Sequence, residues 1–250
     1  MRYLLFVFVF LTAACSRQRI PSQYEPNTTE INGEINSKAS IESLIAPYKE
    51  GLDAEMNAVI GHFAHDMYKK RPEGELGNFM CDAVLEQYNR SSVAGDAPAQ
   101  MCFMNYGGIR VQHIPAGDIT VGNMFQLMPF ENEVVRMELT GEPLLAFLEK
   151  TAASGGWPVS KGVEMNIENR QLTAMTINGQ AFHPTKTYSI LLSDYVANGG
   201  DGMAMLKEMP RENTGVKVRD YLIAYCKYKQ SIGEEIRADV KGRVVSDEAN

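Results

Sequence analysis

The chain has 250 residues, 44% of them hydrophobic and 22% charged, with a formal charge of −7 at pH 7. These are ordinary values for a globular protein, and the length is enough to bury a real core. The acidic balance argues against a polynucleotide ligand, which rests on many Lys and Arg contacts to phosphates. It leaves room for one small anion held by a local cluster of donors.

Residues 1–15 read as a targeting segment: Arg2 gives a positive start, and 3–11 is an apolar run too short to span a bilayer. Thr12-Ala13-Ala14-Cys15 resembles a bacterial lipoprotein cleavage box, departing from it at Thr12, where Leu is commonest. Cleavage there leaves an acylated Cys15 and tethers an exported protein to a membrane, in the periplasm or at the cell surface. The alternative, a buried N-terminal helix, lacks amphipathic spacing. Residues 16–40, rich in Ser, Pro, Asn, Thr and Gln, read as a flexible linker.

A helix is predicted from Ile41, capped by Ser40, and a strand over 58–63. The spacing of Phe79, Met80, Ala83, Val84 and Tyr88 predicts a helix over 77–88 with one apolar face, followed by a polar loop over 89–98. A strand over 100–104, a short helix over 121–126 and a strand over 134–139 come next. Thr140 and Gly141 open a helix carrying Leu144, Leu145, Phe147 and Leu148, with Pro143 in its first turn. Strands follow over 163–167, 172–177 and 188–192, with Asn178-Gly179 as a hairpin signal. A helix over 216–228 closes the pattern, and the charged tail after Arg237 reads as frayed. This is one α/β domain over 41–238, with a charged tail over 239–250. The three cysteines beyond Cys15 (Cys81, Cys102 and Cys226) fall in helix or strand patterns and read as buried thiols. One disulfide among them stays open in an oxidising compartment.

Four short segments carry chemistry. Gly77-Asn78-Phe79-Met80-Cys81-Asp82-Ala83 opens a helix. Asn105-Tyr106-Gly107-Gly108-Ile109-Arg110 follows one strand, and Met128-Pro129-Phe130-Glu131-Asn132 precedes another. Ser193 to Gly202 follows a third, with Asp194, Tyr195, Asn198 and Asp201 among three glycines. Strand ends are where α/β proteins gather ligands. In this order and spacing the four resemble the motifs of the C-terminal, substrate-binding domain of 5'-nucleotidases (GN-x-x-x-DA, N-x-G-G-I-R, P-F-x-N and D-Y/F-x-x-x-G-G-D-G), over roughly residues 41–230.

The resemblance implies the layered, mixed-sheet α/β fold of that domain, and a role for each site residue. Arg110 matches an arginine that contacts the substrate phosphate, a task suited to a guanidinium's two parallel donors. Phe130 and Tyr195 match a ring pair that clamps the base. Asn132 matches a residue that hydrogen-bonds the purine, and Asp201 a carboxylate that accepts from the ribose hydroxyls. Asn105 orients its loop, reaches the ligand, or caps a turn. The family often has a further arginine before the Gly-Asn helix; Lys69, Lys70 and Arg71 stand there, with Pro72 shifting the register. Arg71 is the candidate, against the reading of a solvated basic run.

No Asp-x-His or Gly-Asn-His-Asp/Glu run, of the kind that carries the family's two-metal centre, occurs in the chain. The expectation is therefore a nucleotide-binding part of a 5'-nucleotidase-type phosphohydrolase. It needs no cofactor of its own, and a separate metallophosphoesterase protein supplies the divalent metal pair. The ligand is a nucleoside monophosphate or related nucleotide. The alternatives are a non-catalytic nucleotide- or nucleoside-binding lipoprotein and an envelope interaction protein.

Overall fold

The computed structural model describes Thr28 and residues 38–91 and 98–248. The targeting segment, Cys15 and all but a few residues of the expected linker lie outside the described residues. The chain divides into two units, residues 1–47 and 48–250. Helix α1 (Ala39–Met56) starts two residues before the predicted Ile41, contains Pro47 and contributes no buried residue.

The second unit continues with β1 (Val59–Phe63), β2 (Met67–Tyr68), α2 (Glu75–Ser91), β3 (Met101–Cys102), β4 (His113–Ile114), β5 (Gly117–Thr120) and α3 (Val121–Leu127). Then come β6 (Glu133–Thr140), α4 (Gly141–Ala153), β7 (Val163–Glu168), β8 (Gln171–Ile177), β9 (Gln180–Ala181) and β10 (Thr187–Ser193). The last elements are α5 (Asp194–Ala197), β11 (Glu212–Lys217), α6 (Val218–Ser231) and β12 (Val244–Ser246).

The central sheet has the order β11-β6-β10-β3. β10 is antiparallel to β6 and parallel to β3. Alternate side chains of a strand face opposite ways, so this sheet feeds two cores. Leu191, Val134 and Cys102 join the faces of α2, α3 and α6, where Phe79, Met124 and Leu222 are buried. Ile190, Leu192, Met137 and Phe103 join α4 and the inner face of the second sheet, around Phe147, Trp157, Met165 and Ile177. The layered mixed-sheet α/β architecture expected from the sequence is what the chain adopts.

The second sheet has the order β12-β7-β8-β9. Its two hairpin turns, Asn169-Arg170 and Asn178-Gly179, have positive φ at both positions. That is the primed turn that suits the strands' twist, and only the second pair was legible as a turn in the sequence.

The tail after Arg237 is not frayed over its described residues, 238–248. β12 pairs in parallel with β7, Val244 opposite Met165. The cause is a carboxylate far upstream. Glu73 is buried and accepts from the backbone N–H groups of Lys241, Gly242 and Arg243 at 3.2, 2.8 and 2.9 Å. Arg243 in turn sets both terminal nitrogens on Asp82, each at 2.7 Å. The Gly-Asn helix motif thus works as a structural bolt. Gly77 lies against Pro158, whose ring a Cβ would meet at 2.8 Å. Asn78 donates to Glu73 and to the Asp239 carbonyl.

One boundary shifts, and the cysteines are as expected. The closing helix begins at Val218, because 216–217 belong to edge strand β11, whose polar sequence hides it. Cys81, Cys102 and Cys226 are buried free thiols. Burial pushes the Cys102 thiol well up and the Cys226 thiol up to about 12.

Candidate functional site

β3 and β10 run parallel, so their C-terminal ends lie side by side. β6 runs the other way, with Val134 opposite Ser193, which brings its N-terminal end to the same edge. The loops that follow β3, precede β6 and follow β10 therefore meet at one end of the central sheet. Between them lies a cleft of about 330 Å³ lined by Asn105, Gly107, Gly108, Arg110, Met128, Phe130, Asn132, Tyr195 and Asp201. Six of the seven residues singled out in the sequence share it.

Asp201 organises one wall. Its Oδ2 accepts from Asn105 Nδ2 at 2.7 Å and its Oδ1 from the Tyr195 hydroxyl at 3.0 Å. Asp201 sits in the left-handed region, at φ 51 and ψ 31, between Gly199 at φ 93 and Gly202 at φ 80. Asp is one of the few side chains that tolerates this conformation. An ionised carboxylate has about four lone-pair sites, so these two bonds leave acceptor capacity for a ligand. The hydrogen bond from Tyr195 to that charge raises the phenol's pKa above its usual 10.

The Tyr195 ring lies directly over Gly200: a Cβ there would come within 2.5 Å of the ring and 2.6 Å of the Tyr195 carbonyl oxygen. Tyr195 and Phe130 are 44% and 40% exposed. Large rings left this open at a concave site are exposed surface rather than core. The Arg110 guanidinium lies 5.5 Å from the centre of the Phe130 ring. Its backbone N–H, bonded to the Leu127 carbonyl at 3.0 Å, ties the arginine loop to the Phe130 loop. Asn132 donates through Nδ2 to Asp194 at 2.8 Å.

Arg71 lies outside the cleft lining. Its guanidinium sits 4.0 Å from the Tyr106 ring centre, and Nη1 donates to the carbonyls of Ser154 and Gly156. Lys69 was not singled out. Its Nζ lies 4.2 Å from the same ring and 2.8 Å from the Ile109 carbonyl. Burial, then Arg110, then Arg71 lower its pKa. Lys69 thus stands within the field of Arg110. The alternation Lys69-Lys70-Arg71 along an extended segment was the available signal, since it sends the first and third cations the same way.

A larger cavity of about 880 Å³ lies between α2, Lys161–Glu164 and the tail. Its acids and bases include the pairs Asp82–Arg243 and Asp239–Lys241, and no exposed ring lines it. Ligand chemistry therefore favours the smaller cleft. Among the described residues no group of three or more His, Cys, Asp or Glu could hold a metal ion.

Residues 59–208 match the family model described as 5'-nucleotidase, C-terminal domain. The chain belongs to that family. This 5'-nucleotidase C-terminal domain is 29% identical over 202 residues to Protein UshA of Escherichia coli, covering 77% of this chain and 35% of that protein. It is 30% identical over 187 residues to the apyrase of Tabanus yao, covering 65% and 34%. The crystal structure of a 5'-nucleotidase precursor from Thermus thermophilus superposes with a TM-score of 0.70 at 27% identity, covering 84% of this chain and 43% of that one. The chain spans about a third of the length of the curated relatives it matches.

Proposed function

We propose that this domain grips a nucleoside monophosphate or related nucleotide as the substrate-binding part of a 5'-nucleotidase-type phosphohydrolase in nucleotide catabolism. The observation that carries this is the single cleft shared by two open rings, one carboxylate and one guanidinium. Phe130 and Tyr195 sandwich the base. Asp201, steadied by Asn105 and Tyr195, accepts from the ribose hydroxyls. Asn132 contacts the base edge, and Arg110 holds the phosphate with parallel N–H donors.

Phosphoester cleavage in this family draws on a metal pair that activates water. The described residues do not form a site for it, so no step through metal is assigned to them. A separate metallophosphoesterase chain supplies the pair, and this domain's part is to hold and orient the nucleotide. Export and tethering through an acylated Cys15 complete the proposal. Mass spectrometry of Cys15 checks the anchor, and an unmodified, uncleaved N-terminus refutes it.

Calorimetric titration with AMP, adenosine and ribose 5-phosphate tests the binding reading. AMP should bind more tightly than either fragment, because it alone uses both ends of the cleft. Equal affinities for AMP and ribose 5-phosphate would remove the base clamp. Adding a purified metallophosphoesterase and divalent metal should then raise phosphate release above the partner alone; no gain leaves a binding module without catalysis.

A further inference from the structure

Arg219 lies in the first turn of α6 and is 3% exposed. Its hydrogen-bond and ring partners fall within residues 125–131, a stretch far upstream in sequence. One terminal nitrogen, Nη1, donates to the carbonyls of Met128 and Phe130, both at 3.3 Å. The other, Nη2, donates to the Glu131 carboxylate at 2.6 Å. The guanidinium face lies 4.0 Å from the centre of the Phe125 ring. Lys217 pairs with the second Glu131 oxygen, and the Val218 N–H bonds the Asn132 carbonyl at 2.9 Å. A buried cation is kept only where its partners are good. Here those partners are two main-chain oxygens, a carboxylate and a ring, drawn from the loop that carries Phe130.

We propose that Arg219 is a positioning residue for the base clamp: it fixes the 128–131 loop so that the Phe130 ring stays set for a nucleobase facing Tyr195. It does not line the cleft, so it acts through Phe130. The geometry is specific to arginine. A forked, planar guanidinium reaches both carbonyls with one nitrogen and the carboxylate with the other, while its face covers a ring. A lysine ammonium has the charge without the fork. Glu131 is held down to about 2 by Arg219 first and Lys217 second, so the latch stays charged over the physiological range. The inference rests on the nucleotide reading above and deepens it.

The test separates base grip from phosphate grip. Affinities for AMP and for ribose 5-phosphate are measured by calorimetry on wild type, Arg219→Gln, Arg219→Lys, Phe130→Ala and the Phe130→Ala/Arg219→Gln double variant, each checked for folding by circular dichroism and thermal melting. Stacking of one base on one ring is worth about 1–3 kcal/mol, or roughly 5- to 150-fold. Arg219→Gln should lose about 10-fold or more of the preference for AMP, with ribose 5-phosphate affinity within about twofold of wild type. Arg219→Lys should fall between the two. In the Phe130→Ala background, Arg219→Gln should cost nothing further. A folded Arg219→Gln that keeps the wild-type preference overturns the proposal, as does an equal loss for both ligands. If Arg219→Gln does not fold, Arg219→Lys carries the same comparison. A wild type with no AMP preference overturns the nucleotide reading, and this inference with it.

Discussion

Asp201→Asn is the sharpest single change to the cleft, because it keeps shape and alters one charge. Asn tolerates the left-handed backbone at φ 51 as readily as Asp, so the loop keeps its path. One acceptor oxygen becomes an NH2 group facing either Asn105 Nδ2, itself a donor, or the Tyr195 hydroxyl, which can turn and accept. Hydrogen bonds to a charged group are worth about 1.5–3 kcal/mol. Losing those to the ribose hydroxyls should weaken AMP binding roughly 10- to 150-fold by calorimetry. A 2',3'-dideoxy nucleotide, which has no hydroxyls to offer, should bind wild type and variant alike. A second readout needs no ligand. The Asp201 carboxylate raises the Tyr195 phenol's pKa, so its removal should move that phenol back down, as followed by NMR of tyrosine labelled at Cζ. An unchanged affinity for AMP, or an equal loss for the dideoxy nucleotide, refutes the role given to this carboxylate.

Gly200→Ala should displace the Tyr195 ring, since the new Cβ meets both the ring and a backbone oxygen; overpacking of about 1–3 kcal/mol should appear as a lower melting temperature together with a reduced AMP preference. Arg243→Ala removes the partner of Asp82 and unpins β12. Both side chains are mostly buried, at 12% and 22% exposed, which puts the loss near the low end of about 3–5 kcal/mol for a broken buried pair. At about 2–4 °C per kcal/mol, a thermal melt should show a fall of roughly 6–12 °C. Glu131, depressed from 4.5 to about 2, contributes stability that is full above pH 4.5 and disappears as pH falls toward 2. The melting-temperature gap between wild type and Glu131→Gln should therefore be present at pH 6 and narrow steadily as pH falls to 2, as measured by melts across that range.

The cleft was legible because its residues sit in short local strings at strand ends, and those strings, taken in order, match the motifs of a known family. Asn105, Phe130, Tyr195 and Asp201 needed no knowledge of distant contacts. Arg219 did. Within its helix it is one polar residue in an amphipathic pattern, and only the fold brings it to the Phe130 loop. The same holds for Glu73, whose partners are backbone N–H groups some 168 to 170 positions later. A carboxylate that grips main chain leaves no trace in the sequence it grips, so the tail's charged composition suggested fraying. β11 was hidden for a different reason: an edge strand has one open side and lacks the apolar alternation that marks a central one. The helices α2 and α4 and the strands β6, β7, β8 and β10 were read correctly in kind because each buries one face or both.

The pairing of Val134 with Ser193 has a consequence for how this cleft tolerates change. Phe130 stands four residues before one member of that pair and Tyr195 two after the other, so the two ring-bearing loops hang from one ladder of main-chain hydrogen bonds, with Arg219 bracing the Phe130 side. That ladder works as a caliper. Substitutions along β6 or β10 that keep its rungs leave the jaw opening alone. A single inserted or deleted residue in either strand shifts the register by about 3.3 Å and turns the side chains beyond it to the opposite face, which would carry one jaw out of line with the other.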